Sequence, residues 1–172
     1  TILGYHYPWD YNLPDLDHTN WVNLSSVSFS ITKTPLVRQI EQYIERTGAG
    51  LVFTPGTHQL NYGVKKYPKL LSLTKVFIVN KEEAKKVLGL DEDKKVEIKK
   101  LLSGLADLGP KMVVITDGGE GSFGFDGEKA YQIGLFSAEL LEMTGAGDAY
   151  ATGLIAGLFH GKGLPEAMRW GA

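Results

Sequence analysis

The sequence predicts an α/β fold in which a mostly parallel sheet carries helices on both faces. Short apolar runs that suit buried strands alternate with segments whose apolar residues recur at helical spacing. Met112–Thr116 is a continuous and largely β-branched run, which is typical of a central parallel strand. The alternation extends along all 172 residues without an internal repeat. We therefore expect one domain whose strands are joined by right-handed crossovers.

In the first part of the chain, three apolar runs predict strands at residues 1–7, 21–27 and 51–54. Thr34 and Pro35 predict the start of a helix between the second and third strands, because Thr caps helix N-termini and Pro is favoured at the first helical position. Gly48 is expected to end this helix. Another helix is predicted over residues 63–73.

In the second part, strands are predicted at residues 76–79 and 112–116, and helices at residues 81–88 and 98–108. The helix at 98–108 has its apolar residues on one face: Ile98, Leu101, Leu102, Leu105 and Leu108. Asp126 and Gly127 favour a β-hairpin between residues 122–126 and 129–133. The small and apolar residues 151–159 predict a buried helix.

The composition excludes several classes of function. Lys and Arg number 18 and Asp and Glu number 20, so a net charge of −2 offers no basic field for nucleic acid or an acidic membrane. Cysteine is absent, which excludes disulfides, thiolate catalysis and Cys-based metal sites. The apolar runs are too short to span a membrane and no signal peptide is recognised, so we expect a cytoplasmic protein.

Both ends of the sequence indicate a fragment. The chain starts inside a predicted strand at Thr1, and it stops inside a predicted helix at Ala172. We therefore expect residues 1–172 to be a partial domain, truncated at both ends.

The turn formed by Thr144, Gly145, Ala146 and Gly147 leads into the helix that contains residues 151–159. The first turn of a helix offers backbone N–H groups without intrahelical partners, at the positive end of the helix dipole, and glycine lets an anion approach them. Asp148 follows at once and could accept a proton from an attacking hydroxyl group. An anion site beside a base suits phosphoryl transfer.

Two more segments follow predicted strands, where ligands of open parallel sheets bind. Asn80 and Glu83 have the spacing of a capping box, in which Asn80 caps the helix and Glu83 bonds back to it. Thr116, Gly118 and Gly121 belong to a glycine-rich stretch, loop 116–121, which as an isolated case is best explained as a turn into the hairpin. Because loop 116–121 lacks the Lys-Ser/Thr ending of a P-loop, it is not a Walker site.

Taken together and in this order, the three motifs resemble those of the ribokinase-like (PfkB) carbohydrate kinases. The resemblance extends over essentially the whole chain and corresponds to the C-terminal two-thirds of a three-layer α/β/α ribokinase-like fold. The resemblance implies that the family's N-terminal part, with a sugar-binding motif and a β-sheet lid, is missing. The resemblance implies ATP and Mg²⁺ as cofactors and a sugar or nucleoside as the small-molecule substrate.

The resemblance also assigns roles to residues. Asp148 would be the catalytic base, and Gly145, Ala146 and Gly147 would form the anion hole. Thr144 would be a cofactor-binding residue. Asn80 and Glu83 would place the phosphates and the magnesium ion, which Glu83 would hold through water. Thr116, Gly118 and Gly121 would line the nucleotide.

Two neighbouring positions depart from the family pattern. Glu142 and Met143 stand where the family has Asp-Thr. The family's Asp belongs to a monovalent-cation site, so Glu142 is the residue that would contact K⁺ here.

The resemblance leaves three functions open. The first is a kinase that phosphorylates a hydroxyl group of a sugar or related polyol, and the second is a nucleoside (adenosine-like) kinase. The third is a nucleotide-binding fragment without catalysis. A homodimer of the complete protein is also compatible with the family.

Overall fold

The computed structural model describes residues 13–14, 19–27, 35–91, 93–136 and 144–172. The strands are β1 (Trp21–Leu24), β2 (Gly50–Phe53), β3 (Thr74–Asn80), β4 (Met112–Thr116), β5 (Ser122–Phe125) and β6 (Ala130–Ile133). The helices are α1 (Leu36–Thr47), α2 (Thr57–Tyr62), α3 (Pro68–Leu73), α4 (Lys81–Leu88), α5 (Ile98–Ala106), α6 (Ala146–Phe159) and α7 (Leu164–Gly171), with 3₁₀ turns at Val64–Lys66 and Gly118–Glu120.

The strands form one sheet in the order β1-β2-β3-β4-β5-β6. The first four are parallel neighbours, whereas β5 and β6 continue the sheet as an antiparallel hairpin. At the hairpin turn the Asp126 carboxylate accepts the backbone N–H groups of Glu128 and Lys129 at 2.9 and 2.7 Å, and Gly127 has φ +97°. The predicted mostly parallel sheet and its hairpin are confirmed.

Alternate residues of the parallel strands enter two separate cores. Leu51 and Phe53 of β2 pack with α1 to α5 on one face of the sheet, while Val52 between them packs with α6 and α7 on the other. This alternation is the period of two that a strand imposes on its side chains. The helices lie on both faces, as predicted, and the fold has three layers.

Helices α6 and α7 pack closely because glycines lie where they meet. A Cβ atom at Gly153 would lie 2.2 Å from the Trp170 carbonyl oxygen, and one at Gly157 would lie 2.7 Å from Cα of Ala167. The first turn of α6 does not share this burial, since residues 146–149 are exposed. The prediction of a buried helix therefore holds for its middle and not for its start.

Two predicted elements differ in the structure. The helix predicted over residues 63–73 is divided into the 3₁₀ turn Val64–Lys66 and the short helix α3. The break lies at Tyr67 (φ −113°, ψ 55°), because Pro68 disfavours a helical conformation at the residue before it. The strand predicted over residues 21–27 ends at Leu24, and residues 25–27 follow it without regular secondary structure. The strand predicted at residues 1–7 and the helix cap at Thr34 lie outside the described residues.

Within the described parts of the chain, no helix combines the length and apolar character needed to cross a membrane.

Candidate active site

The carboxyl ends of neighbouring strands bring the predicted motifs together. Asn80, the last residue of β3, is the register partner of Thr116, the last residue of β4. Ser122 at the start of β5 pairs with Thr116 on its other side. Because parallel strands end at the same edge of a sheet, motifs that are distant in sequence become neighbours.

A cleft of about 310 Å³ lies at this edge. Six of the predicted site residues line it: Asn80, Glu83, Thr116, Gly145, Gly147 and Asp148. The cleft therefore joins the start of α6, on one face of the sheet, to the ends of β3 and β4.

The other predicted residues do not line this cleft. Thr144 and Ala146 lie in the same exposed turn as Gly145. Gly118 and Gly121 lie farther along loop 116–121. Glu142 falls outside the described residues, so potassium binding there stays a prediction.

The capping box at the start of α4 is formed. The backbone N–H of Glu83 donates to Asn80 Oδ1 at 2.8 Å, and the backbone N–H of Asn80 donates to Glu83 Oε2 at 2.9 Å. Burial raises the pKa of the Glu83 carboxyl above its ordinary value of 4.5, although the N–H bond from Asn80 lowers it. The cap holds this partly buried carboxylate in the wall of the cleft.

An ion pair joins the segments that follow β3 and β4. Lys81 Nζ lies 2.5 Å from Asp117 Oδ2, and their side chains are 33% and 16% exposed. The hydrogen bond to Asp117 raises the pKa of Lys81, and the negative charges of Asp117, Glu120 and Glu82 add to this effect. The start of α4 is thereby tied to the start of loop 116–121.

Loop 116–121 is closed by backbone hydrogen bonds. The N–H of Asp117 donates to the Gly121 carbonyl at 2.9 Å, and the N–H of Gly121 donates to the Gly118 carbonyl at 3.1 Å. Gly121 has φ +84°, and a Cβ atom there would lie 2.1 Å from the Ile133 carbonyl oxygen. Gly121 is thus required by the approach of β6, whereas its contact with a nucleotide stays a prediction.

The start of α6 exposes its backbone to the cleft. Gly145 is the N-cap, has φ +85°, and accepts the N–H of Ala149 at 2.9 Å. A Cβ atom at Gly145 or Gly147 would meet none of the described atoms within 4 Å. An anion can therefore approach the first-turn N–H groups, which have no partner within the helix.

A second wall of the cleft, which was not predicted from the sequence, is formed by the segments after β1 and β2. This wall contains Ser25, Ser26, Thr54, Pro55, Gly56 and Thr57. The signal was available, because these residues follow strand ends just as Asn80 and Thr116 do. The Thr54 hydroxyl is shielded from solvent and finds no hydrogen-bond partner among the described atoms.

Gln59 holds this second wall in place. It is only 2% exposed, its side-chain N–H donates to the Val27 carbonyl at 3.1 Å, and its Oε1 accepts the backbone N–H of Gly56 at 3.0 Å. One buried amide thus connects the segment after β1 with the segment after β2.

The cleft can accommodate a magnesium ion that is carried mainly by phosphates and water. No group of three or more potential metal ligands occurs in the described parts of the chain. Glu83 and Asp148 nevertheless contribute two carboxylates to the cleft lining. Mg²⁺ keeps several waters and needs only one or two carboxylates when substrate phosphates supply the other ligands, so the residues present fit it.

Solved structures share this architecture. The adenosine kinase of Sinorhizobium meliloti aligns with a TM-score of 0.72 and 20% identity, over 90% of this chain and 47% of that protein. Arabidopsis thaliana ribokinase, complexed with ribose and ATP, aligns with a TM-score of 0.69 and 22% identity, over 88% of this chain and 47% of that protein. The fold is therefore ribokinase-like.

Sequence comparison agrees. The ATP-dependent 6-phosphofructokinase of Thermoanaerobacterium thermosaccharolyticum is 28% identical in an alignment of 165 residues that covers 91% of this chain and 49% of that protein. The chain thus spans about half the length of this relative. The model of the pfkB family carbohydrate kinases matches residues 9–172. The chain belongs to the pfkB family of carbohydrate kinases.

Proposed function

We propose that the protein transfers the γ-phosphoryl group of ATP to a hydroxyl group of a sugar or related polyol. The observation that carries this proposal is the shared cleft, which Asp148, the first-turn backbone of α6 and the Asn80–Glu83 cap all line. Such a cleft combines a base, an anion site and a carboxylate for the metal. Phosphoryl transfer depends on positioning and electrostatics of this kind more than on covalent chemistry by the protein.

Asp148 is the proposed general base. Its carboxylate takes the proton from the acceptor hydroxyl as that oxygen attacks the γ-phosphorus, and the bond from the γ-phosphorus to the ADP oxygen breaks. The exposed position of Asp148 at the cleft leaves room for an acceptor between it and the nucleotide. General-base catalysis typically contributes a factor of about 10²–10⁴ to the rate.

The backbone N–H groups of Gly145, Ala146 and Gly147 are the proposed anion hole. They are oriented by the helix that follows them, so they need no reorganisation as negative charge builds on the transferring phosphoryl group. Thr144 lies at the edge of the same turn. The glycines keep side chains away from the phosphate.

The remaining motifs are proposed to hold Mg·ATP. Glu83 binds Mg²⁺ through water and Asn80 contacts the phosphates, while Thr116, Gly118 and Gly121 line the nucleotide. The magnesium ion supplies charge neutralisation on the phosphate oxygens. Potassium at Glu142, a cytoplasmic location and a homodimer of the complete protein stay predictions.

A nucleoside acceptor is the second candidate, and the similarity to an adenosine kinase structure favours it. Nucleotide binding without catalysis is the third. A protein that only binds a nucleotide has no need of a carboxylate at position 148, so the presence of Asp148 in the cleft favours the catalytic proposals.

The test is an ADP-release assay on the protein as its gene encodes it. Mg·ATP is supplied with ribose, fructose 6-phosphate or adenosine, and calorimetry measures Mg·ATP binding in parallel. Acceptor-dependent ADP release supports the kinase proposal, and the acceptor that is used separates sugar from nucleoside. Mg·ATP binding without ADP release on any acceptor would favour the non-catalytic alternative.

A further inference from the structure

A buried hydrogen bond connects the start of α6 with the end of loop 116–121. The Tyr150 hydroxyl donates to Ser122 Oγ at 2.8 Å. Tyr150 lies two residues after Asp148 and is 9% exposed, and Ser122 directly follows Gly121 and is 2% exposed. The bond therefore joins the turn that carries the proposed base to the loop proposed to hold the nucleotide.

Ser122 is a fixed anchor. It pairs with Thr116 of β4 on one side and with Ile133 of β6 on the other. The backbone position of Ser122 is thus set by the sheet, since strands on both sides hold it in register.

The Tyr150 ring is also held by packing. It belongs to the core between the sheet and helices α6 and α7. A Cβ atom at Gly171 would lie 3.1 Å from Tyr150 Cδ2, so the end of α7 lies against the ring. Burial raises the pKa of Tyr150 from its ordinary value of 10 to about 12, so ionisation of the phenol is even harder than usual.

The start of α6 needs such an anchor. Its N-cap is a glycine with no side-chain hydrogen bond, and residues 146–149 are exposed. The first turn carries the proposed anion hole and base, and burial of its own residues therefore does little to stabilise its position. Tyr150 is the first buried residue of the helix.

We propose that Tyr150 is a positioning residue that, through Ser122, fixes the distance between the Asp148 turn and loop 116–121. This inference rests on the proposed kinase function. The phenol touches neither the nucleotide nor the acceptor; it holds the base and the anion hole in register with the bound phosphates. Misplacing a catalytic group by about 1 Å can cost about 100-fold in rate.

The experiment compares Tyr150→Phe, Ser122→Ala and the double variant in the protein as its gene encodes it. The readouts are kcat, KM for Mg·ATP and the melting temperature. Tyr43→Phe is the matched control: Tyr43 is 7% exposed and donates to the Thr19 carbonyl at 3.0 Å, but it lies on α1, across the sheet from α6.

We expect each single variant to lower kcat about tenfold with KM for Mg·ATP within about twofold. The double variant should be no slower than the slower single variant, because both changes remove the same bond. The control should lose melting temperature to a similar degree and keep the kcat of the natural protein.

A Tyr150→Phe variant with unchanged kcat, or singles whose effects on kcat multiply, would overturn the positioning role. The kinase proposal would still hold in that case if the natural protein releases ADP and Asp148→Asn does not. A natural protein without acceptor-dependent ADP release overturns both, and the two failures are therefore distinguishable.

Discussion

Lys81 Nζ lies 2.5 Å from the carboxylate of Asp117, although 36 residues separate them in the chain. Each residue directly follows a strand, and the last residues of those strands, Asn80 and Thr116, are register partners. The ion pair therefore continues the contact between β3 and β4 beyond the sheet. Its position links the capped start of α4 with loop 116–121.

We expect Lys81→Met to raise KM for Mg·ATP up to about fivefold, because a partly exposed ion pair contributes about 0.2–1 kcal/mol. The charge-reversed pair, Lys81→Asp with Asp117→Lys, should recover part of the loss. Steady-state kinetics measure both. Lys100→Met is the control, since Lys100 and Glu97 are 3.9 Å apart and 74% and 76% exposed. Equal effects of Lys81→Met and Lys100→Met would show that the pair has no special part in nucleotide binding.

The variant Glu83→Gln tests whether Glu83 binds Mg²⁺ in addition to capping helix α4. The glutamine oxygen can still accept the N–H of Asn80, so the melting temperature at neutral pH should not fall, whereas the Mg²⁺ concentration needed for half-maximal rate should rise about tenfold or more. The proposed role through water suggests this magnitude, since partners outside the direct ligand shell typically change metal affinity 10- to 100-fold. Glu82→Gln, an exposed neighbour, is the control. An unchanged magnesium dependence in Glu83→Gln would leave Glu83 as a cap only.

The raised pKa of Glu83 predicts that the stability difference between the natural protein and Glu83→Gln changes with pH. Burial raises the pKa of Glu83 in the folded state above 4.5, so ionisation is harder in the folded than in the unfolded chain. Below pH 4.5 both states are protonated and Glu83 has no effect; as pH rises through the raised pKa, the natural protein loses stability relative to Glu83→Gln. Melting temperatures of both proteins between pH 4 and pH 7 measure this difference. If the melting temperature of Glu83→Gln does not rise relative to that of the natural protein as pH increases, the pKa of Glu83 is not raised in the folded state.

The glycines of loop 116–121 should differ in sensitivity. Gly121→Ala places a Cβ atom 2.1 Å from the Ile133 carbonyl oxygen at φ +84° and should cost more than about 3 kcal/mol of unfolding free energy. Gly118→Ala has φ +46° but meets none of the described atoms within 4 Å, so a cost of about 1 kcal/mol is expected. Urea unfolding measures both, with Gly119→Ala as the unstrained control. Similar costs for all three would argue against the close approach of β6.

The close contact between α6 and α7 gives another stability prediction. Gly153→Ala would place Cβ 2.2 Å from the Trp170 carbonyl oxygen, so we expect a loss of at least about 1–3 kcal/mol as the helices separate. Gly134→Ala is the control, because no described atom lies within 4 Å of its Cβ position. Urea unfolding that shows equal stability for the two variants would contradict the packing described here.

Periodicity and spacing were sufficient to predict the fold and much of the cleft. The buried run Met112–Thr116 is a parallel strand, and the Asn80–Glu83 spacing forms a capping box. The capping box joins residues only three apart, so local helix geometry brings its side chains to the backbone N–H groups. The strand was predictable because a continuous β-branched run suits burial on both faces of a sheet. The break at Tyr67 was missed because the helical spacing of the apolar residues continues across it, whereas Pro68 disfavours a helical conformation at the preceding residue.

Contacts between distant segments were beyond sequence reasoning. The Lys81–Asp117 pair and the Tyr150–Ser122 bond depend on the register of the sheet, which the sequence does not specify residue by residue. Gly121 was expected to make room for a nucleotide, and the structure shows that the Ile133 carbonyl already requires it to be glycine. The bond by which Gln59 supports the second cleft wall was likewise missed, because it joins residues 32 apart in the sequence. The wall itself could have been predicted, since its residues follow strand ends.

The most direct test of the proposed function is the effect of Asp148→Asn on turnover and on Mg·ATP affinity, measured with an accepted sugar or nucleoside. Asparagine keeps the size of the side chain and cannot take the hydroxyl proton. We predict a fall in kcat of about 10²–10⁴-fold or more with Mg·ATP affinity almost unchanged, whereas Asp107→Asn at the exposed end of α5 should behave as the natural protein. An Asp148→Asn variant that retains the natural turnover rate would contradict the account.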